Sequence, residues 1–357
     1  MNRSDLIDAL HIAGAYLSQH EHKNHSEIKE VIDLNEEFYD AFERIICGEF
    51  KYNAWFTEYN VRQSIGALAA SMNRDKLIQW MAPYPELPVK KGRSKTIGVV
   101  MAGNIPMVGF HDMLAVLMSG HNFLGKPSSK DERLIRKVAE LLVAIQPGLE
   151  ENILFSDDYL KEVDAIIATG SNNASRYFEF YFKNIPHIIR KNRNGVAVLT
   201  GNESDEELIQ LGEDIFSYFG LGCRNVTKLF VPEDFQLEKL MKALESFSFL
   251  TDHHKYMNNV NYYRTVYLMN ATSFLDNLIV LLKEDSQIAS PVGVVYFEKY
   301  SQLDHVMQRL ETDSHLIQCI VSKMDEIEAS VAPGRSQYPK LWDYADKVDT
   351  MKFLAEL

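Results

Sequence analysis

The run TIGVVMAGNIPMVGFHDMLAVLMSGHNFLGKPSSK, residues 96–130, decides the reading of this chain. Residues 96–101 are apolar over the length of a buried strand, and 107–118 place Phe110, Met113, Leu114 and Leu117 on one helical face. Residues 122–125 follow as a second strand. Between 96 and 125 the only charge is Asp112, which calls for a membrane check. Asn104, Pro106, His111, His121 and Asn122 interrupt the run, so it lacks the roughly 18 unbroken apolar residues of a membrane span. A buried strand–helix–strand unit is the expectation.

Outward from it, 130–145 read as a helix, 165–168 as a strand and 171–182 as a helix. Strands alternating with helices at this spacing imply a parallel sheet covered on both faces. Upstream, Leu6, Leu10, Ala13 and Leu17 recur at helical spacing, and PYPELP at 83–88 ends a helical stretch. After Gly201 the alternation restarts: a helix over 203–219, a strand over 228–231 and a helix from Leu237. Further strands are expected near 265–268, 292–297 and 318–321. The chain is thus expected to be α/β, with two lobes carrying parallel-type sheets, a ligand cleft between them and a helical N-terminal segment. The expected divisions are 1–200, 201–332 and an extended closing segment over 333–357.

The 357 residues carry 37 Lys and Arg against 50 Asp and Glu, a formal charge of −13. That surface opposes a phosphate backbone, so nucleic acid is not the expected partner. Cys47, Cys223 and Cys319 form no paired motif, which points to a reducing, cytoplasmic setting and to thiol chemistry. Asp5 and Asp8 break any leader-like apolar run at the start.

Gly120-His-Asn-Phe-Leu-Gly125-Lys126 imitates a phosphate loop, but Pro127 stands where a metal-binding hydroxyl should be, and a helix precedes it where a strand should. No GxGxxG is present. Cys223 lies in Phe219-Gly-Leu-Gly-Cys-Arg-Asn225, where glycines allow close backbone approach and Arg224, or the N-terminus of a following helix, would favour the thiolate. Cys47 and Cys319 sit among apolar neighbours and read as core thiols. Asn104, just past the strand at 96–101, has an amide able to donate to an oxyanion, or to close a turn before Pro106. Thr169-Gly170-Ser171 opens a helix after a strand and suits either a nucleotide or a simple helix cap. His20, His22, His25 and the His253-His254 pair lack metal-ligand spacing and read as solvated surface, so no metal is expected.

Taken in order, these pieces resemble the aldehyde dehydrogenase superfamily. Residues 102–131 resemble its Asn-x-Pro turn, apolar helix and Lys-Pro-Ser step; Thr169-Gly170-Ser171 resembles the turn beside the nicotinamide. Cys223 resembles the catalytic thiol, and Ser290-Pro291-Val292 the Gly-Pro-Val step. Within the superfamily, Gly220-Leu-Gly-Cys-Arg-Asn-Val226 and the tail from Gly334-Arg-Ser-Gln-Tyr-Pro339 to Val348-Asp-Thr350 are similar to the LuxC-type acyl-CoA reductases.

The resemblance implies an acyl-enzyme on Cys223, with Asn104 and the Cys223 N–H as oxyanion donors. It implies NADPH, or NADH, held by Lys126, Ser129, Thr169, Gly170 and Ser171. Oxidising members carry a Glu that activates water; the matching residues 190–195, RKNRNG, have no carboxylate, which favours reduction of a thioester. Ser129 replaces the usual ribose-binding Glu and Lys130 adds positive charge, so NADPH is favoured. Arg190, Lys191 and Arg193 are open to a role with coenzyme A phosphates or to a solvated face. The expected partners are an acyl-CoA or acyl carrier, an acyl-donating enzyme and further copies of the chain. The alternatives are a CoA-acylating aldehyde dehydrogenase running oxidatively and a catalytically silent nucleotide-binding scaffold.

Overall fold

The computed structural model describes residues 2–24, 26, 28–88 and 92–357. His25 of the histidine-rich stretch lies outside them. The chain forms two compact units, Met1–Lys191 with Pro339–Leu357, and Asn192–Tyr338.

The first unit begins with four helices, α1 (Arg3–Ser18), α2 (Lys29–Gly48), α3 (Glu58–Ser71) and α4 (Arg74–Met81). The α1 repeat buries Leu6, Leu10, Ala13 and Leu17, and Asn2 caps the helix by accepting the Asp5 N–H at 2.9 Å. Then come β1 (Thr96–Val100), α5 (Phe110–Ser119), β2 (Asn122–Lys126), α6 (Arg133–Ile145), β3 (Ile153–Phe155), β4 (Ala165–Thr169), α7 (Asn172–Tyr181) and β5 (His187–Arg190). The strands form one parallel sheet in the order β3-β2-β1-β4-β5. Parallel strands buried on both faces want continuous apolar runs, and β1 and β4 supply them. Gly120, at φ 81°, ends α5 in the left-handed conformation and turns the chain into β2, a helix-to-strand passage unlike a phosphate loop.

The second unit contains β6 (Asn194–Val198), α8 (Asp205–Phe216), β7 (Val226–Pro232), α9 (Leu237–Leu244), α10 (His254–Met269), β8 (Leu275–Asp276), β9 (Leu281–Glu284), β10 (Val294–Tyr300), α11 (Leu303–Thr312) and β11 (Ile317–Val321). Its sheet runs β11-β6-β7-β10-β9-β8, parallel except for the β8–β9 pair. Ser204 and Glu207 close a reciprocal cap on α8. Val196, Val198, Phe230, Ile288, Val306 and Leu310 are part of a core cluster against this sheet.

Several expectations need correcting. Residues 265–268 are the last turn of α10, not a strand: Tyr256, Val260 and Tyr267 bury at helical spacing, and that packing overrides the strand preference of Thr265 and Val266. The closing segment is not all extended, since α12 (Thr350–Ala355) packs on α5. Its return to the first unit begins at Pro339. His20 is fully buried, its Nδ1 2.7 Å from Glu43 Oε1 and its ring stacked on Tyr39. It lies just past the α1 repeat, where helical periodicity no longer reports burial. Cys47 is exposed, because the apolar face of α2 is carried by Val31, Phe38, Phe42 and Ile46.

Two histidines of the first unit, His111 half-buried and His121 buried, hold the C-terminal segment. His111 Nε2 lies 2.8 Å from the Leu341 carbonyl, and His121 Nε2 lies 2.9 Å from the Leu354 carbonyl. His121 Nδ1 also accepts the Lys95 N–H at 3.1 Å, which requires the neutral ring. Burial holds His121 below the ordinary histidine value of 6.5. A histidine lowered on folding stabilises fully above its unfolded value and loses that contribution as pH falls through the lowered one. Between about pH 7.5 and about pH 5 the urea midpoint of the wild type should therefore fall relative to that of His121→Asn, which cannot titrate. Equal drops in the two proteins would assign the acid sensitivity elsewhere.

Candidate active site

In the first unit, parallel pairing sets the geometry. Val100 pairs with both Lys126 and Ala168, so the carboxyl ends of β1, β2 and β4 lie side by side. From β1 the chain builds outward through β2 to β3, then crosses back to place β4 on the other side of β1. Loops at such a reversal leave in opposite directions and open a crevice at the carboxyl edge. Asn104 follows β1, Lys126 ends β2, Ser129 lies in the turn after β2, and Thr169, Gly170 and Ser171 follow β4. The structure thus brings these six residues to one sheet edge.

Each has a local setting. Asn104 is exposed on a bend. Lys126 Nζ donates to the carbonyls of Asp157 at 3.0 Å and Asp158 at 2.9 Å and faces the Tyr159 ring, and among the described residues no carboxylate pairs with it. Ser129 is exposed. Ser171 Oγ accepts the Ala174 N–H at 3.3 Å, so it caps α7. Gly170 is needed for packing, since a Cβ there would lie 2.9 Å from Ala174 Cβ.

The sequence reading missed Asp131. It is buried, and its Oδ2 accepts the Met107 N–H at 2.6 Å. This holds Met107 at φ 54°, a left-handed conformation unfavourable for methionine, and turns the Asn104 loop into α5. Burial pushes the Asp131 carboxyl well above the ordinary carboxylate range, against the pull of the Met107 N–H. A Cβ at Gly103 would lie 2.5 Å from Ser128 Oγ, so the loop after β1 and the turn after β2 touch. Asp131 sits among Lys130, Glu132 and Arg133, and nothing in that charged run signals burial.

In the second unit, Cys223 is half-buried on the loop between α8 and β7. A strand, β7, follows it and not the helix that the sequence left open. Asn225, fully buried, organises the loop. Its Oδ1 accepts the Gly222 N–H at 2.8 Å, and its Nδ2 donates to the carbonyls of Asp214 at 3.0 Å and Ser217 at 2.9 Å. Tyr218, Phe219 and Gly220 approach the thiol loop at φ 52°, 58° and 75°, three successive left-handed residues. Such strain persists only where surroundings over-determine it, and Phe219 is stacked on His253 at 4.0 Å. His253 is therefore a packed N-cap of α10 and not a solvated surface residue.

Arg224 directs Nε to the Ser336 carbonyl at 2.5 Å and Nη2 to Cys319 Sγ at 3.4 Å. Gly195, on β6, lies under this loop: a Cβ there would meet the carbonyl oxygens of Arg224 at 2.5 Å and Asn225 at 2.7 Å. Of the three basic residues near 190, Arg190 is withdrawn from any ligand face. It is buried in a two-pronged ion pair with Asp112, at 2.6 and 2.7 Å, and donates to Thr350 Oγ1 at 3.2 Å. Lys191 pairs with Glu179 at 2.9 Å, and Arg193 donates to the Ser314 carbonyl at 3.1 Å.

No family profile matches the sequence. No curated protein matches it either. Solved structures do. An aldehyde dehydrogenase of Mycobacterium tuberculosis complexed with NAD+ is 13% identical over 89% of this chain and 73% of its own, with a TM-score of 0.58. The indole-3-acetaldehyde dehydrogenase AldA of P. syringae, in complex with NAD+, is 11% identical over 94% and 75%, with a TM-score of 0.62. An oxidoreductase from Marinobacter aquaeolei is 12% identical over 91% and 75%, with a TM-score of 0.63. At these identities the likeness shows the fold, which is aldehyde-dehydrogenase-like α/β.

Two substitutions test this geometry. Gly195→Ala should destabilise the protein by about 1–3 kcal/mol, since its methyl group must displace backbone and not a flexible side chain. Arg190→Ala should cost about 3–5 kcal/mol by leaving Asp112 buried and unpaired. Urea titration measures both; a cost under about 0.5 kcal/mol for Arg190→Ala is a surface result and would return Arg190 to the ligand candidates.

Proposed function

We propose that this chain is an oxidoreductase that reduces an acyl-CoA, with a fatty acyl group, to the aldehyde through an acyl-enzyme on Cys223, using NADPH in preference to NADH. The observation that carries the reading is the setting of Cys223: a half-buried thiol on a loop that Asn225 saturates with hydrogen bonds, in an aldehyde-dehydrogenase-like fold. A nucleophile so held keeps its direction of attack without a flexible loop.

The Cys223 thiolate attacks the thioester carbon, and the carbonyl oxygen takes up negative charge. Asn104 Nδ2 and the Cys223 N–H are its proposed donors. Collapse breaks the bond to the coenzyme A sulfur, which leaves as a thiolate and takes a proton from solvent. When bound, the nicotinamide supplies the hydride that converts the enzyme thioester to aldehyde and regenerates the Cys223 thiolate.

The residues at the carboxyl edge of the first sheet fit such a cofactor. Lys126 offers an ammonium whose described hydrogen bonds go to neutral carbonyls, Ser129 a hydroxyl, and Thr169 with Ser171 the entrance to α7. Ser129 brings no negative charge to repel a 2′-phosphate, and exposed Lys130 adds a positive one. The NAD+ complexes named among the similar structures support a nicotinamide cofactor. Reduction is favoured over hydrolysis because residues 190–195 present no carboxylate to activate water.

The test is NADPH consumption, by absorbance, across short to long acyl-CoAs. Consumption should require acyl-CoA and fall at least about a thousandfold in Cys223→Ala. Without NADPH, acyl-CoA should add one acyl mass to the wild type and none to the variant. Full turnover in Cys223→Ala would overturn the mechanism. Absence of turnover and of acyl transfer would leave an acyl donor other than free coenzyme A, or a nucleotide-binding scaffold.

A further inference from the structure

The tail motif Gly334-Arg335-Ser336-Gln337 has no role in the chemistry above, yet its backbone is gripped from two directions. Asp214, on α8 and 1% exposed, accepts the Gly334 N–H on Oδ2 at 2.7 Å and the Ser336 N–H on Oδ1 at 2.9 Å. Arg224, the residue after Cys223, donates to the Ser336 carbonyl at 2.5 Å. Gly334 stands at φ +78°, and a Cβ there would press on Gln210 at 3.2 Å. Ser336 is fully buried and Gln337 nearly so. The Asp214 main-chain carbonyl also takes the Asn225 amide that fixes Gly222.

We infer that Asp214 is a positioning residue for Cys223: its carboxylate clamps Gly334–Ser336, and that segment, through Arg224, holds the thiol loop in its attacking geometry. The inference rests on the reading of Cys223 as the acylated thiol. Two hydrogen-bonded routes run from one residue to the loop, one through its side chain and the tail, the other through its main chain and Asn225. The side-chain route is the one a substitution severs, since any residue at 214 keeps its carbonyl.

A carboxyl here is costly to the fold. Burial pushes Asp214 up to about 6, overcoming the two N–H groups and the Ser336 hydroxyl that pull it down; Glu213 adds to the rise. A group that the fold holds at such a cost is better explained by what it positions than by stability.

The experiment follows hydrogen exchange by mass spectrometry in substrate-free wild type, Asp214→Ala and Asp214→Asn, beside steady-state kinetics with NADPH and an acyl-CoA. In Asp214→Ala, residues 333–338 and 219–226 should lose protection together, by about tenfold each. The kcat should fall about tenfold with KM for acyl-CoA within about twofold, because orientation of the nucleophile is lost and not binding. Asp214→Asn keeps one carbonyl acceptor and should recover part of both losses. If Asp214→Ala does not fold, Asp214→Asn carries the same comparison at smaller amplitude. Loosening confined to 333–338, with 219–226 and kcat unchanged, would overturn the inference. Exchange needs no substrate, so a wild type without turnover would count against the acyl-CoA reading while exchange still decides this one.

Discussion

Parallel pairing of β1 with β2 on one side and β4 on the other is the constraint on which the first unit's candidate site depends. Parallel strands cannot be joined by tight hairpins, so each connection must cross back over a face of the sheet and every strand ends at the same edge. That requirement brings Asn104, Lys126, Ser129, Thr169, Gly170 and Ser171 to one edge from loops and strand ends far apart in the chain. It also explains the weight of small residues there: Gly103 lets the loop after β1 lie against the turn after β2, and Gly170 lets α7 begin close to the end of β4.

Polar groups buried beside these loops do the finer positioning. Asp131 turns the Asn104 loop by capturing the Met107 N–H, and Asn225 turns the Cys223 loop by bonding four main-chain groups, Gly222, Asp214, Ile215 and Ser217. In each case a single side chain satisfies main-chain groups that a loop would otherwise leave to water. Each therefore fixes a loop conformation that apolar packing alone would leave degenerate. The three left-handed residues before Cys223 show the strain that such fixation tolerates.

The C-terminal segment has two different functions in the fold. Residues 334–337 lie in the second unit, bonded to α8 and to Arg224. From Pro339 the chain belongs to the first unit, where Tyr344 accepts the Trp80 indole N–H at 2.7 Å, Tyr84 donates to Asp349 at 2.7 Å and Thr350 meets the Asp112–Arg190 pair. The motif that looks continuous in sequence thus serves two cores.

The sequence by itself determined the α/β class, the alternation after residue 96, the helical start and the placement of each candidate residue on a loop or strand end. These follow from periodicity and punctuation, which are local: β1, α5 and β2 lie within a few residues of where apolar spacing put them. Strands β5 and β6 were not legible, since Arg190, Lys191, Asn192, Arg193 and Asn194 read as a charged face. Only tertiary structure decided that Arg190 is buried, because its neutralising partner, Asp112, is 78 residues away. The same holds for His20 with Glu43, for Asp131 beneath the Asn104 loop and for Asp214 with the tail. A polar residue's burial depends on a partner that folding brings to it, and no window of sequence contains both.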